Sequence, residues 1–343
     1  MNPLLSALAG APDIENLLSD AAQIRAMLAV EQALAHASAD AGWISAEAAE
    51  AISDAIAGFT PDPDDLARGM AQDGVLVPAL IRQLRDSVPE PHRAALHRGA
   101  TSQDIIDTAL MLQLVPVFDL FETGLGAILA RLDHLAAEHG ARPLMAHTRM
   151  QVALPTHWGA KLQSWSAPLR RHLQALVAMR KSLLVVQLAG PVGDRCSFEG
   201  LGDRIAASMA KELDLGLAES WQATRDPIVG FGNLLALMSG SLGKVGMDVA
   251  LLAQNEIAAL RLEGGGGSSA MAHKSNPVNA EVLVALARYN AGLSGILQQA
   301  MVHEYERSGS AWTLEWLTLP QMLVTTGASI RLGRALLDQL RLA

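Results

Sequence analysis

Apolar residues recur every three or four positions along most of this chain, which is the pattern of helices with one buried face. Near the N-terminus Ile24, Met27 and Leu34 follow this spacing, and Ser19 stands where an N-cap is needed. The same pattern returns at residues 75–84 and stops before two prolines. We therefore predict a small N-terminal helical domain built from these stretches.

Further along the chain the apolar stripes lengthen and predict a bundle of five long helices. A shorter helix is expected from Thr101 to Leu114, ahead of Pro116. The long helices are expected at residues 117–138, 156–188, 226–262, 278–306 and from about 320 onward. No convincing strand pattern interrupts them. The predicted fold class is all-α, with residues 1–95 as the N-terminal helical domain and residues 96–343 as the central long-helix bundle.

The helix expected at residues 226–262 carries three glycines on its apolar stripe, Gly240, Gly243 and Gly246. Small residues at this spacing predict a close approach by a neighbouring helix. The longest predicted helices would measure roughly 50 Å, which is more than one small domain needs. We expect part of their length to be buried against other surfaces.

Composition narrows the functional class. Half of the residues are apolar and only 4% are aromatic. The net charge is −9 and the sequence contains no basic run, which argues against a nucleic-acid partner. The single cysteine, Cys196, excludes an internal disulfide and is expected to be a small buried residue. We find no secretory leader and no apolar run of ~18 residues, so we expect a cytoplasmic protein with no membrane segment.

The most distinctive polar stretch runs from Glu263 to Pro277, Glu-Gly-Gly-Gly-Gly-Ser-Ser-Ala-Met-Ala-His-Lys-Ser-Asn-Pro. Four consecutive glycines predict a long mobile loop, because neither a helix nor a strand tolerates that run. In a helical chain such a loop indicates a lid. Asn276 and Pro277 are expected as the N-cap and first residue of the next helix, whose N-terminus favours an anion. The loop supplies hydroxyl, imidazole, ammonium and amide groups from Ser268, Ser269, His273, Lys274 and Asn276.

Glycine-rich loops of two other kinds share some of these residues. A flexible Gly/Ser linker would also contain such glycines, but helix-forming segments flank the loop closely on both sides. A phosphate-binding loop needs a preceding strand and a glycine before its lysine. Here His273 precedes Lys274 and no strand is predicted, so we reject that interpretation.

A second polar segment, His97 to Asp104, precedes a helix. Thr101 and Asp104 have the spacing of a capping box, which is the default local explanation. The hydroxyls of Thr101 and Ser102 could also face an anion at the helix N-terminus, since capping and binding are compatible.

Residues 267–277 resemble the signature of the fumarase/aspartase superfamily, Gly-Ser-Ser-x-Met-Pro-x-Lys-x-Asn-Pro, with Ala272 in place of the first proline. The resemblance implies that Ser268 exchanges a proton with the carbon beside a substrate carboxylate. It also implies that Lys274 and Asn276 hold that carboxylate. Superfamily members carry a segment like that around Thr101, and they are homotetramers whose active sites combine three subunits. Most continue into a further C-terminal helical domain, and we expect that domain to be missing from this chain.

The segment around Arg149 departs from the lyases of this superfamily, which carry Arg-Thr-His-x-Gln-x-Ala-x-Pro. Aligning Gln151 places Arg149 where those enzymes have a histidine and His147 where they have the arginine. An arginine is a poor proton donor but a good carboxylate ligand. The departure argues against elimination of an amine and favours a reaction without a leaving group. His147 could equally be a structural histidine.

Gln103 and the run His303 to Arg307 resemble the branch of the superfamily that lactonises carboxymuconates. The resemblance implies an intramolecular lyase acting on a tricarboxylate, in which Ser268 donates the proton. Arg149, Lys274 and Arg307 would bind carboxylates and stabilise the enediolate. The remaining substrate-binding residues would be Thr101, Ser102, Gln103, His147, Gln151, Ser269 and Asn276. We expect no metal and no cofactor.

Two alternatives remain open from the sequence. One is an adenylosuccinate- or argininosuccinate-type lyase that releases fumarate. The other is a catalytically idle helical oligomer, which the presence of Ser268, Lys274 and Asn276 argues against, because bundle packing does not need them.

Overall fold

The computed structural model describes residues 2–267, 271 and 275–343. Within these residues, six helices form the N-terminal part: α1 (Pro3–Ala9), α2 (Pro12–Leu17), α3 (Asp20–Asp40), α4 (Ala46–Ala57), α5 (Pro63–Asp73) and α6 (Val77–Ser87). The rest of the described chain contains α7 (Ser102–His139), α8 (Trp158–Leu183), α9 (Gly202–Glu212), α10 (Asp226–Leu252), α11 (Val278–Gln299) and α12 (Gly309–Asp338). Short 3₁₀ helices lie at Glu90–Ala95 and Cys196–Phe198.

Two small antiparallel strand pairs accompany the helices. Strands β1 (Pro143–Thr148) and β2 (Gln151–His157) form a hairpin, and β3 (Leu260–Leu262) pairs with β4 (Leu340–Leu342) at the C-terminus. No strand was predicted, so the hairpin corrects the sequence analysis. Its tip needs two residues with positive φ, Arg149 at 50° and Met150 at 65°, and neither residue type signals such a turn.

The five predicted long helices are present as α7, α8, α10, α11 and α12. They pack as a bundle in which α10 contacts α8, α11 and α12, and α7 contacts α8 and α12. In the N-terminal part α3 packs against α7 and α9, so one apolar core runs through both regions. The division at residue 95 stays a prediction.

Several predicted boundaries were wrong because proline was taken as a helix break. Pro116 lies inside α7 and Pro320 inside α12, so α7 extends unbroken from Ser102 and α12 begins at Gly309. Each proline removes one backbone hydrogen bond. Burial of the helix against its neighbours on both sides of that point offsets the loss.

The ends of three other helices also differ from the prediction. The helix α8 begins at Trp158 and ends at Leu183, α10 ends at Leu252, and α11 ends at Gln299. The apolar run that seemed to extend α10 belongs to a turn and to β3. Apolar periodicity alone does not separate a helix end from a short buried strand.

Local features were predicted more accurately. Ser19 caps α3 by accepting the amide of Ala22. A Cβ added at Gly243 would lie 2.4 Å from Ala287 Cβ, and one at Gly246 would lie 2.6 Å from Ala280 O, so both glycines allow close packing of α11 on α10. A Cβ at Gly240 would meet nothing within 4 Å, so the prediction fails there.

The prediction for Cys196 was wrong, because its side chain is exposed.

The expectation that no segment could span a membrane needs a qualification. By length and composition α7 and α10 are long and apolar enough to do so. Both are central helices of the bundle, and about half of each apolar window is buried inside the fold.

The bundle has two chemically different ends. The Thr101 end holds the N-termini of α7, α10 and α12, and the hairpin end holds β1, β2 and residues 253–267 and 275–277. The hairpin begins directly after α7, which is 38 residues long, so the two ends lie about 55 Å apart.

Candidate active site

Arg307 is the centre of a polar cluster at the Thr101 end. Its exposed guanidinium donates to Thr101 Oγ1 at 2.9 Å, to Gln103 Oε1 at 3.1 Å and to Pro191 O at 3.2 Å. Ser102 is the first residue of α7 and is partly buried. A guanidinium beside hydroxyls at a helix N-terminus is a suitable receptor for a carboxylate. Four of the predicted substrate-binding residues are therefore brought together.

Asp104 fixes the loop that faces this cluster. The predicted capping box is present, and the Asp104 carboxylate accepts the amides of Thr101 at 3.0 Å, Ala189 at 2.7 Å and Gly190 at 3.0 Å. Gly190 has a φ of 73°, a backbone conformation that favours glycine. Burial raises the pKa of Asp104 to about 6, although the three amide donors act in the opposite direction.

A buried ion cluster lies beneath Gln103. Arg225 donates to Asp107 Oδ2 at 2.6 Å and Oδ1 at 3.1 Å, and to Glu315 Oε1 at 2.9 Å and Oε2 at 2.6 Å. All three side chains are at most 3% exposed. Burial lowers the pKa of Arg225, but the two carboxylates raise it above its ordinary value overall. Asp107 and Glu315 lie in the second turns of α7 and α12, and Arg225 is the N-cap of α10.

A second buried pair stands behind the same loop. His97 Nδ1 lies 2.6 Å from Glu31 Oε1, and Glu31 is 1% exposed. Burial lowers the pKa of His97, but the Glu31 carboxylate outweighs it and holds that pKa above its ordinary value. The pair links α3 to the polar segment before Thr101, so the N-terminal helices help to position that segment.

The residues of the second predicted region lie at the hairpin end. Arg149 occupies the tip, Gln151 begins β2, and both are exposed. His147 is also exposed, and its Nδ1 lies 3.2 Å from Met145 O. Together with Glu256, His147 lines a cleft of about 320 Å³. None of these residues reaches the Thr101 cluster within one chain, because the length of α7 separates them.

The signature loop also belongs to the hairpin end. Gly266 and Asn276 pair through two backbone hydrogen bonds of 2.9 Å and 2.8 Å, which close the base of the loop. Asn276 is therefore not an N-cap as predicted. Instead α11 begins at Val278 after Pro277, without a side-chain cap. The Asn276 amide donates to Gly267 O at 3.4 Å.

Six residues of the predicted loop, Ser268, Ser269, Ala270, Ala272, His273 and Lys274, lie outside the described residues. Their predicted roles, and the predicted lid, stay predictions. Beside the paired base is a cleft of about 790 Å³, lined in part by Asn276, Ser275 and Arg261. Within the described chain no group of three His, Cys, Asp or Glu side chains could hold a metal ion.

Sequence reasoning missed the buried ion cluster. Asp107 lies one helical turn after Gln103, so their contact at 3.1 Å could have been inferred from spacing alone. Arg225 and Glu315 carry no such signal, because their contacts join residues that are 90 or more positions apart in the chain.

The long-helix bundle with polar side chains at its two ends is shared with a class of helical lyases. A family model described as "Lyase" matches residues 11–290, and the chain belongs to this lyase family within the fumarase/aspartase superfamily. The 3-carboxy-cis,cis-muconate cycloisomerase of Pseudomonas putida is 36% identical over 98% of this chain and 82% of its own length. The enzyme of the same name from Pseudomonas aeruginosa is 38% identical over 99% of this chain and 75% of its own length.

Solved structures agree with this relationship. The crystal structure of 3-carboxy-cis,cis-muconate lactonizing enzyme from Pseudomonas putida superimposes with a TM-score of 0.93 at 35% sequence identity. The match covers all of this chain and 78% of that chain. The predicted superfamily and the mostly helical fold are confirmed.

Proposed function

We propose that this chain is an intramolecular lyase that converts 3-carboxy-cis,cis-muconate to 4-carboxymuconolactone. The curated relatives with this cycloisomerase name support it, since they cover nearly all of the chain. The observation that carries the choice of reaction is Arg149 at the hairpin tip. Amine-releasing lyases of the superfamily have a histidine there, and arginine can bind a carboxylate but is a poor proton donor.

The reaction needs no leaving group. One substrate carboxylate oxygen adds to a carbon of a double bond and forms the ring C–O bond. The displaced electron pair moves to the carbon beside another carboxylate, which then receives a proton. Atoms and charge balance within one molecule and one delivered proton, so the protein must supply shape, charge stabilisation and a proton donor.

The chain offers a residue for each task. Ser268 donates the proton, and Arg149, Lys274 and Arg307 neutralise carboxylates and the developing enediolate. Each such donor contributes about 3 kcal/mol at the transition state. Arg307 is already held by Thr101 and Gln103. The smaller polar residues that orient the substrate are Ser102, His147, Gln151, Ser269 and Asn276.

The separation of the two ends supports a shared site. With about 55 Å between the Thr101 end and the hairpin end, Arg307 and Arg149 of one chain cannot hold the same small tricarboxylate. We propose a homotetramer in which one chain supplies the Thr101 end and others supply the hairpin and the loop. A cytoplasmic location forms part of the same proposal.

The activity is tested by adding purified protein to 3-carboxy-cis,cis-muconate and following its ultraviolet absorbance while the products are identified. We expect loss of the conjugated diene, formation of the lactone and no fumarate. Ser268→Ala should reduce turnover heavily with an unchanged circular dichroism spectrum. Fumarate release from a succinylated amine would identify the alternative lyase, and absence of any turnover would support an idle oligomer.

Sharing of the site is tested by mixing. Arg307→Ala and Arg149→Ala should each be inactive alone. When the two variants are co-expressed, about a quarter of the sites would contain neither substitution if the two residues come from different chains of a symmetric assembly. Recovery of activity on that scale is the expected result, and no recovery in a verified mixed oligomer would contradict a shared site. Arg149→His separately tests whether this position alone separates lactonisation from amine elimination.

A further inference from the structure

The orientation of the Gln103 side-chain amide is determined by its surroundings. The amide Nε2 donates to Asp107 Oδ2 at 3.1 Å and to Gln222 O at 2.8 Å, which are both pure acceptors. Oε1 must therefore point to the opposite side, where it accepts from Arg307 Nε at 3.1 Å. A reversed amide would place its NH₂ group against the guanidinium and leave two acceptors without a donor. The side chain is completely buried.

Asp107 is fixed by groups from two other helices. Two of its bonds come from Arg225, and Trp312 Nε1 donates to Oδ1 at 3.2 Å. Arg225 is fixed in turn by Glu315. A continuous chain of hydrogen bonds thus runs from Glu315 to the exposed guanidinium of Arg307.

The backbone that carries Arg307 is attached to the same network. Gln222, whose backbone oxygen accepts from Gln103, donates through its own Nε2 to Glu306 O at 2.8 Å. The bonds Gln103 to Gln222, Gln222 to Glu306, and Arg307 to Gln103 close a ring. Arg307 is held through its side chain and through the adjacent peptide group.

The stability of the fold does not by itself explain why a buried ion cluster stands at this position. A buried ion pair is often no more stabilising than well-packed apolar residues, because desolvation opposes the Coulomb attraction. Arg225 also places a cation at the N-cap of α10, where the helix dipole disfavours positive charge. Its position is explained by the two carboxylates that it bridges and by what they orient.

We propose that Asp107, Arg225 and Glu315 are positioning residues that lock the Gln103 amide and thereby aim Arg307 at a substrate carboxylate. The proposal rests on the proposed function in one respect, that Arg307 binds the substrate. A guanidinium that is oriented before binding loses less side-chain entropy when the carboxylate arrives.

The decisive variants are Asp107→Asn and Gln103→Leu, alone and combined, in the full-length chain. Asparagine keeps the shape of Asp107, but its NH₂ group faces an Arg225 nitrogen in either orientation and also faces either the Gln103 amide or Trp312 Nε1, so the network that holds Gln103 is weakened. Binding of propane-1,2,3-tricarboxylate is measured by calorimetry, and thermal unfolding is measured in parallel. We expect each single variant to bind about tenfold more weakly, with KM raised more than kcat is lowered.

The double variant separates positioning from general stabilisation. If Asp107 acts through Gln103, Asp107→Asn should add little further loss of binding in the Gln103→Leu background. Additive losses would overturn the proposal. Asn290→Leu is the matched control, because it removes a buried polar network in the middle of the bundle, with bonds to Ser239 and Thr326. It should change thermal stability without changing binding.

Two further variants keep the test decisive. If Asp107→Asn fails to fold, Trp312→Phe removes one bond to Asp107 and reduces the ring contact with Trp316. It should produce a smaller loss of binding in the same direction, and unchanged binding would overturn the proposal. Arg307→Ala tests the underlying function. Unchanged tricarboxylate binding in Arg307→Ala would contradict the role of Arg307 itself. Weakened binding there, with unchanged binding in Asp107→Asn, would refute only the positioning network.

Discussion

The two ends of the bundle hold their polar side chains in opposite ways. At the Thr101 end Gln103, Asp107 and Arg225 are buried and bonded to one another within one chain. At the hairpin end Arg149 and Gln151 are exposed at a turn, with no side-chain hydrogen bond to the rest of the described chain. Folding of a single chain therefore completes the polar cluster at the Thr101 end. The hairpin end has no comparable set of buried side-chain bonds among the described residues.

The largest expected contrast comes from replacing one arginine at each end. Arg225→Met leaves Asp107 and Glu315 as buried charges without a counter-ion, and should cost about 3–5 kcal/mol of unfolding free energy. Arg149→Met removes an exposed side chain and should change stability by less than about 0.5 kcal/mol. Urea unfolding of both variants at one protein concentration measures the difference. Equal losses would show that the two ends are held alike.

A smaller contrast is expected in pH dependence. The pKa of Asp104 is raised from 3.8 to about 6 in the folded chain, so its ionisation opposes folding. This cost is absent below the ordinary pKa and fully present above about pH 6, and two pKa units correspond to about 3 kcal/mol. Relative to Asp104→Asn, the unmodified chain should therefore lose about 3 kcal/mol of unfolding free energy between pH 4 and pH 7.

Asp248 provides a control of opposite sign. Burial raises its pKa, but Lys244, Trp165 and Lys161 together hold that pKa below its ordinary value. Its stabilising contribution should be present above the ordinary pKa and lost as the pH falls through the lowered one. Stability measured against pH for Asp104→Asn and Asp248→Asn should thus deviate from the unmodified chain in opposite directions. Parallel curves would disprove the assignment for Asp104.

The smallest effect is expected for a single hydroxyl. Thr101→Val keeps the shape of the N-cap but removes the oxygen that accepts from Arg307 at 2.9 Å, and should cost about 1 kcal/mol of stability. Thr148→Val, on the exposed end of β1, should cost less than about 0.5 kcal/mol. Thermal unfolding compares the two, and a larger loss at Thr148 would reverse the ranking of the two ends.

Sequence reasoning succeeded where an interaction is local. The Thr101–Asp104 capping box and the Ser19 cap join residues within one helical turn, so the pattern contains both partners. The five long helices follow from apolar periodicity that continues over many turns. Superfamily membership followed from a fixed order of residues in the signature loop.

The features that were missed depend on distant contacts. Pro116 lies inside α7 because packing against neighbouring helices overrides a local rule. The hairpin was hidden because Arg149 and Met150 adopt positive φ without glycine or asparagine. The partners of Arg225 lie 90 and 118 positions away, and periodicity does not pair residues at that range.

The paired base of the signature loop has a consequence for engineering. Because Gly266 and Asn276 are hydrogen-bonded to each other, the two ends of the stretch between them lie side by side. The entropy cost of closing a loop between such ends depends only weakly on the length of the loop. Residues 267–275 can accordingly be exchanged as a cassette. Chimeras that carry this segment from other lyases would transplant reactive groups onto an unchanged framework, so new chemistry could be sampled without redesigning the helices.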